Sequence, residues 1–128
     1  MASERALRIE ADGVRVYAVL ASTPTADAVW DALPLAGVAH RFGDQVYFDV
    51  PLKLSLELGA RAKVAAGEIG FRPQGPAIAL YFGPAPASRD AAPAAASPVN
   101  VFGRITGDAT RLGRVRAGGK IRLTRIEG

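Results

Sequence analysis

The chain predicts a mainly β fold: a closed antiparallel barrel of about eight strands with one main α-helix. Three observations carry this. Eight or nine short alternating or apolar segments, parted by glycine, proline and aspartate turn signals, run through its 128 residues. One dominant stretch, after Ser22, has helical spacing. Ala77 to Phe82 is apolar on both faces of a strand, as expected where a strand is covered from two sides.

The elements follow in order. Leu7 to Ala11 alternates apolar and polar residues, Asp12-Gly13 is a hairpin turn signal, and Val14 to Leu20 is the return strand. Thr23 is placed to cap a helix, and Pro24 suits its first position, where no N–H is needed. Ala26, Val29, Trp30 and Leu33 form the apolar face, with Trp30 read as a core plug beneath the barrel. Pro34 stops the helix after about ten residues. Gly37 to Phe42 leads to a turn at Gly43-Asp44. Gln45 to Val50 is a strand with Val46, Phe48 and Val50 on one face. Its other face, Gln45, Tyr47 and Asp49, is more polar and suited to a cleft or to water.

Leu52 to Leu58 alternates leucines with Lys53, Ser55 and Glu57, the pattern of a further strand, and Gly59 breaks it. Arg61 to Ala66 reads as a turn or an extended piece. Arg72 to Pro76 is a turn joining Glu68–Phe71 to Ala77–Phe82, fenced by Pro76 and Pro84. Residues 84–98, rich in alanine and proline, read as a loop, either functional or a plain excursion. Val99 to Ile105 is a strand. Thr110 to Arg116 and Lys120 to Ile126 read as a hairpin around Ala117-Gly118-Gly119.

The length suits one domain, residues 1–128, able to bury a core without disulfides or metal. The chain has no cysteine and one histidine, which excludes thiolate zinc sites, redox pairs and two-histidine metal sites within one chain. No metal or cofactor is expected. No apolar run has the length of a signal peptide or a membrane span, so a soluble, cytoplasmic protein is the expectation. Residues 104–128 hold seven basic and two acidic groups, against nine and ten before them. No aromatic residue follows Phe102 to stack bases, so this basic excess reads as solvent-facing arginines on edge strands rather than a nucleic-acid site.

Catalytic motifs are absent. A serine nucleophile would need His40 as base, and no Gly-x-Ser-x-Gly sequence accompanies it. Phosphate-cradling and dinucleotide glycine motifs are missing too. Glu68, between glycines and before an apolar strand, is the most unusual carboxylate, and it reads as the partner of Arg41 or Arg104 in a structural ion pair.

Several stretches together resemble the cyclophilins, and more closely a small prokaryotic family of cyclophilin-like proteins of uncharacterised function. The strand and proline-led helix of Val14 to Leu33 are similar to a cyclophilin strand and its first helix. Gly43-Asp44-Gln45-Val46-Tyr47-Phe48 with Pro51, Gly67-Glu68-Ile69-Gly70-Phe71, Tyr81-Phe82-Gly83-Pro84 and Asn100-Val101-Phe102-Gly103-Arg104-Ile105 resemble the uncharacterised family. The resemblance covers most of the chain and implies an eight-stranded barrel capped by helices. His40-Arg41-Phe42 is similar to the Phe-His-Arg stretch from which true cyclophilins take an arginine for proline isomerisation, so Arg41 is the one catalytic residue it implies. The cleft tryptophan and late cleft histidine of true cyclophilins have no counterpart, and Ala79-Leu80-Tyr81-Phe82 stands where their Gly-Ser-Gln-Phe-Phe segment would be.

Three functions follow, in this order. The first is a binding module that takes a peptide or small ligand in a barrel-side cleft lined by Arg41, Tyr47, Glu68, Phe71, Tyr81 and Phe82. The second is a structural role in a homo-oligomer. The third is a weak peptidyl-prolyl isomerase in which Arg41 stabilises the twisted amide.

Overall fold

A computed structural model describes residues 5–83 and 94–126. The first hairpin joins β1 (Ala6–Ala11) to β2 (Val14–Leu20) in the register Ala11 opposite Val14. Asp12 and Gly13 have φ of 51° and 78°, the paired left-handed conformation whose twist matches a two-residue hairpin. Leu7, Ile9, Ala11, Val14, Val16 and Ala18 all point into the core, as alternation requires. Helix α1 (Pro24–Ala32) starts where the Thr23 hydroxyl accepts from the Ala26 N–H at 3.0 Å. It buries Thr25, Ala26 and Val29. Trp30 packs against the core but is only half-buried, with the guanidinium carbons of Arg5 and Arg125 6.0 and 5.0 Å from its ring, so it flanks the core rather than plugging it.

The remaining strands are β3 (Leu35–Val38), β4 (His40–Arg41), β5 (Gln45–Asp49), β6 (Arg61–Lys63), β7 (Glu68–Arg72), β8 (Ala77–Tyr81), β9 (Ala94–Thr106) and β10 (Lys120–Ile126). All pairings are antiparallel, in the order β3-β10-β1-β2-β9-β7-β8-β5-β4, with β6 added to the first half of β9. Among the described residues this makes ten strands, and their ladder is not closed by hydrogen bonds, which corrects the closed eight-stranded expectation. The reason lies in residues 35–41. This one segment supplies both ends of the strand order: β3 pairs with β10, β4 pairs with β5, and Ala39 between them exchanges bonds with Gly118 and Gly119. At Gly37 a side chain would meet Phe48 Cδ2 at 3.1 Å, so β3 lies on β5 by packing rather than by pairing.

Three further expectations change. Leu52 to Leu58 forms no strand; the Ser55 carbonyl and the Glu57 N–H bond to the Asn100 side chain instead of a ladder. Leu52 and Leu54 pack on the core, whereas Leu58 is fully exposed. Residues 109–114 form a 3-10 helix capped by Asp108, burying Leu112, so β10 has no hairpin partner there and pairs with β1 and β3. Residues 94–98 belong to β9, not to a loop; residues 84–93 of that expected loop lie outside the described residues.

Candidate functional site

Strand β8 is buried along its whole length. Ile78 and Leu80 face the main core with Phe48, Phe71 and Phe102, and Ala77, Ala79 and Tyr81 face the opposite side of the sheet. That outer side carries a second, smaller cluster: Val64, Ala79, Tyr81, Ala95 and Val99. It exists because β6 and the first half of β9 pair with each other and fold over the sheet. Gly70 on β7 permits the approach, since a Cβ there would stand 2.8 Å from Val99 Cγ2. The β7–β9 register shifts at Ile69/Gly70, a bulge of the kind that bends a strand out of its sheet.

Between this arm and β5 lies a cleft of about 200 Å³. Its floor is Ala77 and Ala79, whose small side chains leave the space. Gln45, Tyr47 and Phe42 line one side, and Ala95, Ser97 and Val99 the other. The Tyr47 ring stacks on His40 with centroids 5.1 Å apart, and the Arg72 guanidinium carbon is 5.3 Å from the same ring's centroid. Arg72 is itself anchored: Nε donates to the Gln74 carbonyl at 2.9 Å and Nη2 to the Gly75 carbonyl at 3.1 Å. Burial pushes the Tyr81 phenol up to about 12, against a smaller opposing effect of Arg72, so Tyr81 is a neutral hydroxyl at physiological pH.

The structure brings Tyr47 and Tyr81 into this cleft and places the other sequence candidates elsewhere. Phe71 alternates with Gly70 and Arg72 and so points to the core. Phe82 is buried under Arg41, whose guanidinium carbon is 5.1 Å from the ring. Glu68 pairs with Arg61 through two bonds of 2.9 and 2.7 Å and accepts from the Ala65 N–H, so neither Arg41 nor Arg104 is its partner. The Arg61 hydrogen bonds hold the Glu68 carboxyl below its ordinary range, outweighing desolvation.

Arg41 is tied to the backbone. Nη1 donates to the Gly113 and Val115 carbonyls at 3.1 and 2.8 Å, and Nε and Nη2 donate to the Gly43 carbonyl. It borders a separate shallow depression with Asp12 and Arg116. Sequence reasoning missed Arg72, Ala79, Ser97 and Val99 as lining. The alternation of Glu68, Gly70 and Arg72 signals that Arg72 shares the outer face; nothing in residues 94–98 signals a strand. Among the described residues, no three His, Asp or Glu side chains are grouped to hold a metal, and no helix is long and apolar enough to cross a membrane.

The sequence model of the family described as cyclophilin-like matches residues 5–124. The chain belongs to the cyclophilin-like family. Among solved structures, the solution structure of the hypothetical protein AF2241 from Archaeoglobus fulgidus is similar, with 31% identity and a TM-score of 0.79 over 96% of this chain and 95% of that one. No curated protein matches the chain. Membership of this cyclophilin-like family and likeness to a hypothetical protein leave the function to be argued from the site itself.

Proposed function

We propose that this cyclophilin-like protein is a binding module whose cleft between β5, β8 and the β6–β9 arm takes a peptide or small ligand. The observation that carries it is the cleft's construction. An apolar, aromatic-walled hollow holds a few polar groups from Gln45, Ser97 and Arg72, the usual composition of a ligand site. Its walls are held by a stacked ring, an anchored guanidinium and a glycine-dependent packing contact, so the shape is pre-formed. Isomerase chemistry through Arg41 finds less support, since that guanidinium already donates to three backbone carbonyls.

The test is an amide-resolved NMR titration with a fragment library and X-Pro peptides. Ligands are expected to shift Tyr47, Ala79 and Val99, and Ser97→Phe is expected to remove the effect by filling the cleft. Shifts confined to the Arg41 depression would sink the reading. An isomerisation assay of wild type against Arg41→Ala separates the alternatives: equal rates remove the isomerase.

A further inference from the structure

From the charge and size of the cleft we infer that its ligand is a small monocarboxylic acid with a compact planar apolar body. The inference rests on the binding reading above. Among the described lining residues Arg72 is the one charged side chain, and none of them is a carboxylate. The described residues also give Arg72 no ion-pair partner. Its Nε and Nη2 hold the Gln74 and Gly75 carbonyls, which fixes the orientation of the group, and Nη1 makes no bond to a described residue. A pre-positioned guanidinium of this kind favours a carboxylate through charge-assisted bonds.

Other lining groups agree. The Tyr81 phenol keeps its proton through the physiological range and can donate rather than repel. Gln45 and Ser97 supply further neutral polar atoms. Size sets the rest of the ligand. The volume of about 200 Å³ is below the usual range for drug-sized ligands. Cavities of about 150 Å³ accept a benzene ring, so one ring and a carboxylate fill this one. The Ala77–Ala79 floor presents apolar surface to such a ring.

Benzoate, benzamide and benzylamine share a ring and differ in charge, so titrating each into the 128-residue protein by amide-resolved NMR tests the inference. Benzoate is expected to shift Tyr47, Ala79 and Val99 and to bind about tenfold or more tighter than benzamide, the worth of a charge-assisted hydrogen bond. Benzylamine is expected not to bind there. Arg72→Gln should erase the difference between benzoate and benzamide, with unchanged β1–β2 amides showing that the fold is intact. Equal binding of benzoate and benzamide at the cleft would overturn the carboxylate inference and leave the binding reading standing. No binding of any ring at the cleft would overturn the inference and count against the binding reading as well. Benzoate shifts confined to the separate depression bordered by Arg15, Arg111, Lys120 and Arg122 would show ion pairing with the basic surface and overturn it too. The comparison in the unmodified protein does not depend on how Arg72→Gln folds.

Discussion

Asn100 is 1% exposed and joins three parts of the chain. Its Oδ1 accepts from the Glu57 N–H at 2.8 Å, and its Nδ2 donates to Thr25 Oγ1 at 3.0 Å and to the Ser55 carbonyl at 2.9 Å. The Glu57 carboxylate in turn accepts from the Thr25 N–H and hydroxyl, at the positive end of α1. Asn100→Leu is expected to lower the unfolding free energy by at least about 2 kcal/mol, because each buried group left unpaired costs about 1–3 kcal/mol. Urea denaturation measures it, and a change under about 0.5 kcal/mol, the scale of an ordinary surface substitution, would refute the role. Gly70→Ala should cost about 1–3 kcal/mol by overpacking Val99 and should alter the cleft amides before the β1–β2 hairpin. Tyr81 supplies a pH test. Its folded pKa is raised to about 12 from 10.0, so the unfolded chain loses the proton first. The associated stability is complete below pH 10 and is lost as pH rises towards 12. In an ultraviolet titration, one of the three tyrosines should ionise only near pH 12, and its loss in Tyr81→Phe assigns it.

Among elements, the β6–β9 arm decides whether a cleft exists. The Arg61–Glu68 pair holds the turn that returns from β6 to β7, with Ala65 N–H as a third contact. The Glu68 carboxyl has a folded pKa below its ordinary 4.5, so its contribution is present above that value and is lost as pH falls through the folded pKa. Wild type and Glu68→Gln should therefore differ in stability at neutral pH and converge in acid. A difference that stays constant down to pH 2, below the ordinary carboxylate range, would rule out the carboxylate as its source.

For the whole molecule, the seam between β3 and β4 is where the two ends of the strand order meet without a ladder. It is held by side-chain packing at Gly37, by Ala39 on Gly118 and Gly119, and by Arg41 on Gly113 and Val115. Arg41→Ala should speed hydrogen exchange of the Ala39, Phe42 and Gly118 amides well before those of β1 and β2. Uniform loss of protection would mean that the seam is not an independent unit.

Local elements were readable from residue pattern alone. The β1–β2 hairpin, the Thr23-capped helix and the β8 strand with its two faces were legible, because alternation, capping and positive-φ turn residues act between near neighbours. Tyr47 and Tyr81 were legible as candidate lining, and Ala77, Ala79 and Tyr81 as one face of a doubly covered strand. Long-range contacts set the rest. The Leu52–Leu58 alternation formed no strand, and Asn100, more than forty residues on, took the Ser55 carbonyl and the Glu57 N–H in its middle. The alanine-rich start of β9 became a strand only through pairing with β6. Arg41 and Phe82 were drawn away from the cleft by contacts with each other and with residues 113–115. Such choices rest on which distant groups meet, and period and composition carry no record of that.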